Sequence, residues 1–377
     1  MEKYYQFSAP GRTEISGNHT DHQHGCVLAA AVDLETVADV TLNGSDDIVI
    51  RSEGYPEVRV NLSDLSVKEE EKNTTAALVR GVAAAFTQRG AKLQGFDAAV
   101  HSTVLPGSGL SSSAAFEVLI GTILNELFFE NKLNAIEIAQ IGQYAENVYF
   151  GKPCGLMDQM ASSVGGMVYI DFADPENPVV QKVDADLTKF GYGICIIDTG
   201  ADHADLTDEY AAIPGELAQL CQCFGKKYLR DIPKAEFVKK IAEIRGKVTD
   251  RAILRAFHIY QENDRVRQQV EALRWDDIDA FLDLIKESGR SSWMYLQNIT
   301  PAGAVQHQEV ALALALCETY LKGQGAFRVH GGGFAGTVQA FVPLDMLDSF
   351  KASIEAVLGK NSCHVLNIRQ KGGIRVS

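Results

Sequence analysis

Residues Pro106 to Ser113 read P-G-S-G-L-S-S-S and run into an apolar stretch of helical character. Glycines at 107 and 109 let the backbone take positive φ and let a ligand come close. The serine side chains can accept hydrogen bonds from first-turn N–H groups and so cap the helix. The open N–H groups and the positive dipole end then favour an anion, and phosphate is the natural guest. The Walker string G-x-x-x-x-G-K-[ST] does not occur, and G-S-G-L-S-S lacks the third glycine of the dinucleotide fingerprint. A second group, H-T-D-H-Q-H from His19 to His24, has the residue types of a metal site. None of its histidine pairs has the i, i+4 spacing that zinc motifs use on a helix, so no metal is expected there. A third feature is Asp158 in G-L-M-D-Q, beside Leu156, Met157 and Met160. A carboxylate in such company needs a partner.

The elements that would position these residues follow from periodicity and punctuation. Helices are expected over Ser113–Asn131, Asn134–Tyr149, Pro214–Leu229, Lys234–Ile244, Asp250–Ala272, Ile278–Gly289 and Ala302–Lys322, with another in T-T-A-A-L-V-R-G-V-A-A-A-F before Gly90. Strands are expected in C-V-L-A-A-A-V-D-L-E-T-V-A-D-V-T-L, in G-F-D-A-A-V-H-S-T-V-L-P running into the opening loop, in G-M-V-Y-I-D-F, in Y-G-I-C-I-I-D-T-G and on both sides of the glycine cluster at 331–333. Helices and strands mix without strict alternation, which predicts an α+β fold. A chain of 377 residues suggests two domains, with a boundary in A-D-P-E-N-P-V-V-Q-K: residues 1–180 and 181–377.

The composition narrows the function class. Hydrophobic residues are 46% and charged residues 22%, the mixture of a globular protein. No apolar run reaches the ~18 residues of a membrane span, and no secretory signal opens the chain, so a cytoplasmic location is expected. Seven cysteines cannot all pair with one another, and free buried thiols are expected. A net charge of −14 makes a nucleic-acid partner a poor expectation.

P-G-S-G-L-S-S-S-A-A resembles the phosphate loop of the small-molecule kinases that include galactokinase, homoserine kinase and mevalonate kinase. Ala9 to Gly25, A-P-G-R-T-E-I-S-G-N-H-T-D-H-Q-H-G, is similar to the galactokinase signature. Ala145 to Ser162 resembles the segment carrying the family's catalytic aspartate, and Val329 to Val342 its glycine-rich third motif. The four stand in the family's order, and the similarity runs over nearly the whole chain. The resemblance implies that family's two-domain fold with its active site in the cleft between domains, and an ATP-dependent sugar 1-kinase acting as a monomer with Mg²⁺. Asp158 would accept the proton of the attacking sugar hydroxyl, or orient it and take the proton late, and Arg12 would hold Asp158 ionised. Pro106, Gly107, Ser108, Gly109, Leu110, Ser111, Ser112 and Ser113 would bind the nucleotide. Ser112 and Glu146 would hold the metal. Asn18, His19, Asp21, Gly155, Asp158 and Tyr210 would contact sugar, and Gly331 to Gly333 would shape the floor of the site.

The signature departs from the family pattern G-R-x-N-x-I-G-E-H-T-D-Y at four places. Glu14 replaces asparagine, Ser16 isoleucine, Asn18 glutamate and His22 tyrosine. The family's glutamate accepts a hydrogen bond near C6 of the sugar, and an amide there can donate as well. Galactose is the expected substrate. A related sugar such as galacturonate, or a silent sugar sensor, is the alternative.

Overall fold

The computed structural model describes residues 4–104, 109–152, 154–200, 206–334 and 336–377. Pro106, Gly107 and Ser108 of the expected nucleotide loop lie outside them. The chain forms two interleaved units. The first holds Met1–Thr13, Ala30–Met167 and Ile368–Ser377, and the second Glu14–Ala29 and Val168–Asn367. The single boundary expected near residue 180 is thus replaced by four changes of unit, at 13/14, 29/30, 167/168 and 367/368. The physical reason is that three of these changes fall inside strands, where no linker composition marks them: β1 (Tyr4–Ser16), β2 (Cys26–Leu42) and β6 (Met167–Asp171).

In the first unit, β3 (Asp47–Ser52), β4 (Val58–Asn61), β5 (Phe96–Ser102) and the terminal β12 (Ile374–Arg375) join β1 and β2 in the order β12-β1-β2-β5-β3-β4. The sheet is mixed, since β3 runs parallel to β5 while β2 pairs β5 antiparallel. From Thr36 to Val40 buried and half-buried residues alternate, the period of a strand with one covered face. That face meets α1 (Thr75–Gln88), α2 (Ser112–Phe128) and α3 (Ala135–Tyr144) in one core, where Val40, Ile48 and Phe96 join Phe86, Leu119 and Ile141. Helix α2 is buried almost all round, from Ala114 to Asn125 apart from Phe116, and is the central helix of the unit. Asn134 and Glu137 close a capping box at the start of α3. The last helix of the unit is α4 (Met157–Val164).

In the second unit, β8 (Tyr192–Asp198), β9 (Ala326–His330), β10 (Thr337–Pro343) and β11 (Cys363–Leu366) form an antiparallel sheet in the order β11-β8-β10-β9. Strand β7 (Val179–Val183), inside the stretch expected to be a linker, pairs β6. Helices α9 (Glu309–Leu321) and α10 (Leu347–Leu358) cover the sheet through Val310, Leu314 and Ile354. A second core joins α5 (Thr207–Gln222), α6 (Lys234–Ile244) and α7 (Asp250–Arg274) through Leu217, Phe237 and Ile253. Helix α8 is Ile278–Ser291. Pro214 does not open α5; it sits inside, because seven residues before it also turn into the helix. Two stretches end in π turns rather than plain helix, Ala145–Phe150 and Ser292–Leu296. All seven cysteines are unpaired.

Candidate active site

The apolar setting of Asp158 asked for a cation, and the first unit supplies it. Asp158 sits in the first turn of α4, where the helix dipole favours negative charge. Arg12 grips it with both prongs of the guanidinium: Nε donates to Oδ1 at 2.8 Å and Nη2 to Oδ2 at 2.9 Å. The third nitrogen, Nη1, donates to the carbonyl of Gly109, and the Arg12 amide to the carbonyl of Leu110 at 3.0 Å. One arginine thereby ties the aspartate to the described end of the phosphate loop. Burial opposes charge on Asp158, but Arg12 and a hydrogen bond from Ser111 outweigh it and hold the carboxyl below its usual range. A third of the side chain stays accessible, so it can still meet a substrate.

Ser111 departs from expectation. The loop serines as a group were expected to cap the helix, yet Ser111, which takes the N-cap position, makes no capping bond through its side chain. Its Oγ donates instead to Asp158 Oδ2 at 2.8 Å. The residue holds a left-handed backbone with φ 58°, a conformation that costs a non-glycine residue of order 1 kcal/mol. The first turn of α2 therefore has no side-chain cap from Ser111, as an anion site requires.

Behind the loop, one amide holds two buried carboxylates. Gln159 Nε2 donates to Glu117 Oε2 and to Glu146 Oε2, each at 2.9 Å. Burial and then the charge of Glu146 push Glu117 well above the usual carboxylate range. Glu146 is 4% exposed. Its Oε1 has a loose contact with Lys152 at 3.7 Å. The hydroxyl of Ser112 makes no hydrogen bond among the described residues. A buried carboxylate and a free hydroxyl are hard oxygen donors, and they fit Mg²⁺.

In the second unit, the signature residues are held by the glycine-rich motif. Asn18 Nδ2 donates to Gly331 O at 2.6 Å and to Glu14 Oε1 at 3.2 Å, while Asn18 Oδ1 accepts from Asn298 Nδ2 at 2.8 Å. His19 Nε2 lies 3.0 Å from Gly332 O and must donate to it. His19 Nδ1 is then the acceptor from His22 Nε2, at 3.3 Å. Tyr210 Oη donates to Gly333 O at 3.0 Å, and its ring meets Phe334 edge to face. A Cβ on Gly332 would come within 2.6 Å of the Tyr210 ring, and one on Gly333 within 2.0 Å of Asn298 O. The glycines thus do more than shape a floor, because their carbonyls orient the signature. Asn18 is 0% exposed, and its two N–H donors are engaged by Gly331 and Glu14. Asp21 accepts from the His22 amide in a short 3-10 turn, His24 stacks on Tyr228, and Gly155 is exposed just before α4.

A wider frame supports this segment. Glu262, fully buried on α7, accepts from Ser16 Oγ and Gly17 N at 3.1 Å and from Asn18 N at 3.4 Å. Burial opposes its charge, but Arg265 and the donors around it hold the carboxyl well below its usual range. Arg328, also fully buried, donates to Ile15 O, Glu14 O and Glu14 Oε1 at 2.9, 2.9 and 2.7 Å. His258 donates from Nε2 to Asn18 O and accepts at Nδ1 from Ser291 Oγ, both at 2.9 Å. Burial pushes His258 down to about 4.

The His258 shift has a measurable consequence. Below pH 6.5 the unfolded chain binds a proton at this ring, and the folded chain refuses it until about pH 4. Stability at this ring is therefore lost as pH falls across that window. His258→Gln is expected to flatten the dependence by up to about 1.4 kcal/mol per pH unit between pH 6 and 4.5. Denaturant unfolding at several pH values checks this, and parallel profiles for the two proteins would refute it.

Comparison with known proteins bears on both units. A family signature described as the galactokinase galactose-binding signature matches residues 2–41, and one described as the GHMP kinases N terminal domain matches residues 77–166. A galactokinase of Actinobacillus pleuropneumoniae is 32% identical over 92% of this chain and 87% of its own length. The chain belongs to the galactokinase family. A galactokinase of Glaesserella parasuis is also 32% identical, over 92% of this chain and 87% of its own. The crystal structure of Lactococcus lactis galactokinase complexed with galactose superposes with a TM-score of 0.82 at 25% identity, covering 99% of this chain and 95% of that one. A mevalonate kinase at 14% identity and TM-score 0.67 shares the fold. In galactokinase-family terms, the two signatures carry Arg12, His19 and Asp21 in one and Ser111, Glu146 and Asp158 in the other.

Reading the sequence left the adenine side of this galactokinase-family chain unassigned. The structure has a cavity of about 490 Å³ at the start of α2, lined by Ser112, Ser113, Phe116, Leu78, Thr75 and Tyr55 among others. The P-G-S-G-L-S-S-S motif reaches it only through Ser112 and Ser113, and the rest of its lining is drawn from separate strands and helices. Glu262 and Arg328 were missed for the same reason: each meets the signature from more than 240 residues away in the chain, and Arg265 acts only through Glu262. Among the described residues no helix is long and apolar enough to cross a membrane.

Proposed function

We propose that this chain transfers the γ-phosphoryl group of ATP to the anomeric C1 hydroxyl of D-galactose. The observation that carries the reading is the forked Arg12–Asp158 pair, tied by Ser111 and Gly109 to the helix start, in a chain of the galactokinase family. Phosphoryl transfer asks for positioning and charge stabilisation more than for covalent help. Asp158, held ionised, accepts the hydrogen bond and then the proton of the attacking hydroxyl. Arg12 fixes that carboxylate and offers positive charge near the transferring group. The uncapped N–H groups of α2 receive phosphate oxygens, and the cavity at its start accepts the purine. His19, Asp21, Gly155 and Tyr210 take the sugar-contacting roles that the resemblance assigns. Ser112 and Glu146 would hold Mg²⁺, which when bound neutralises charge on the phosphates. The free thiols suit a cytoplasmic protein.

Incubation with ATP, Mg²⁺ and a panel of aldoses, read by phosphorus NMR, tests this directly. The expected result is a galactose 1-phosphate resonance with matching ADP. No sugar-dependent ADP release across the panel would overturn the enzyme reading and favour a sugar sensor.

A further inference from the structure

A cavity of about 520 Å³ in the second unit plays no part in that chemistry. It is bounded by the end of α8, the π turn after it, α9 and the start of β9. Its volume lies within the roughly 300–1,000 Å³ of small-molecule sites. Leu314, Leu321 and Phe327 give it apolar walls. Trp293 and Met294 also line it, yet they are 49% and 59% exposed. Together they offer a ligand a flat aromatic face and an adaptable thioether.

The lining charges are Lys286, Arg290 and Arg328 against one carboxylate, Glu318. Lys286 already pairs with Asp283 at 3.0 Å. Arg290 is exposed and has neither ion pair nor hydrogen bond among the described residues. Arg328 is fully buried, and its Nη1 has no hydrogen-bond partner among the described residues. Apolar walls, an exposed tryptophan and an unpaired arginine suit an aromatic anion better than a sugar or a cation.

The segment that walls this cavity has a second face. Lys286, Gly289, Arg290 and Trp293 line the cavity. Ser288, Ser291 and Ser292, on the opposite face of the same turns, hold the signature. Ser288 Oγ donates to Glu262 Oε1 at 2.7 Å, the same oxygen that receives Ser16, Gly17 and Asn18. Ser291 bonds His258, which holds the Asn18 carbonyl, and Ser292 Oγ reaches Asn18 Oδ1 at 3.4 Å. Strand β9 repeats the arrangement: Arg328 lines the cavity while its guanidinium binds Glu14 and Ile15, and the chain then continues into Gly331–Gly333. The wall carries a π turn at Ser292–Leu296, an irregularity that often marks functional positions in helices.

The geometry points to an effector site. The cavity binds a small aromatic anion, an arene carrying a carboxylate, sulfonate or phosphate. By displacing α8 and its π turn, that ligand changes the sugar affinity of the Glu14–His19 segment. The effector half rests on the sugar-binding role proposed above, while the ligand half does not.

The test uses the full chain carrying Trp275→Phe, a substitution at an 80% exposed site that leaves Trp293 as the single tryptophan. Anilinonaphthalene sulfonate serves as the probe. Saturable one-to-one energy transfer from Trp293 is expected. Its Kd should weaken about tenfold or more in Arg290→Glu, and binding should vanish when Ala315→Phe fills the cavity. Both positions are exposed, and an unchanged Tm checks that the variants fold. Calorimetry then gives the Kd of galactose with and without saturating probe. A difference of about fivefold or more is expected, and none in Ala315→Phe. Probe binding unaffected by both substitutions overturns the site. Probe binding that responds to them while galactose affinity stays fixed overturns the effector role. A chain that binds no galactose under either condition fails the proposed function instead, and the fluorescence titration still decides the cavity.

Discussion

Asp158→Asn is expected to lower kcat by on the order of 100-fold or more, with a much smaller change in galactose affinity. A positioned general base contributes typically ~10²–10⁴-fold. The asparagine keeps the size of the side chain and one acceptor oxygen, so Arg12 and Ser111 can still find it. What disappears is the capacity to take a proton. Arg12→Ala is expected to lower kcat at least as far, and for more reasons. It removes the fork on Asp158 and the bond to Gly109 O, so ATP affinity falls as well. It also removes the strongest influence that offsets the burial of Asp158, leaving chiefly the Ser111 hydrogen bond, and that carboxyl rises. The acid limb of the kcat–pH profile, which in the unmodified chain lies below the usual carboxylate range, then moves upward. Steady-state kinetics from pH 4 to 8 measures all three effects. Near-normal kcat in Asp158→Asn would remove the base, and an acid limb unmoved in Arg12→Ala would remove the arginine's part in holding it ionised.

The ease of reading this chain differed from place to place for physical reasons. Strand β2 was visible from Cys26 to Leu42 because apolar and polar residues alternate along its second half, and α6 because its apolar positions recur with helical period. Helix α5 was expected over Pro214–Leu229 and lies seven residues earlier at both ends, since Pro214 looks like a helix start and nothing local shows that the turns before it also close. The two π turns carry no sequence signal that separates them from ordinary helix. The Arg12–Asp158 pair spans 146 residues of chain, and only the family resemblance joined its members in advance. Ser111 looked like a cap because serine before an apolar run usually is one. Its left-handed backbone, which turns the hydroxyl toward Asp158, is a property of the folded loop. The surroundings of Asn18 were the least legible. The residue type suggested free donors, but hydrogen-bonding capacity is spent by neighbours that arrive from Glu14, Gly331 and Asn298.

Those neighbours turn two departures from the family pattern into one. The pattern has asparagine where this chain has Glu14 and glutamate where it has Asn18, so amide and carboxylate have changed places. The two side chains touch, Asn18 Nδ2 donating to Glu14 Oε1 at 3.2 Å, and both are buried. The pair keeps one negative charge against the fully buried Arg328 whichever residue carries it. Asn18→Glu alone is expected to destabilise the chain by about 3–5 kcal/mol. It removes both donors, faces a second carboxylate and the Gly331 carbonyl, and adds a buried charge without a partner. Glu14→Asn alone leaves Arg328 without its carboxylate and carries a cost of similar origin. In the double variant the charge count and the amide–carboxylate bond are both restored. The singles should therefore fail to add, with a coupling of about 1–3 kcal/mol in favour of the double variant. Denaturant unfolding of the four proteins measures the cycle, and galactose KM follows the same order because Asn18 and His19 share the Gly331–Gly332 carbonyls. Strict additivity would show that residues 14 and 18 changed independently, and would return residue 18 to consideration as a direct reader of the sugar.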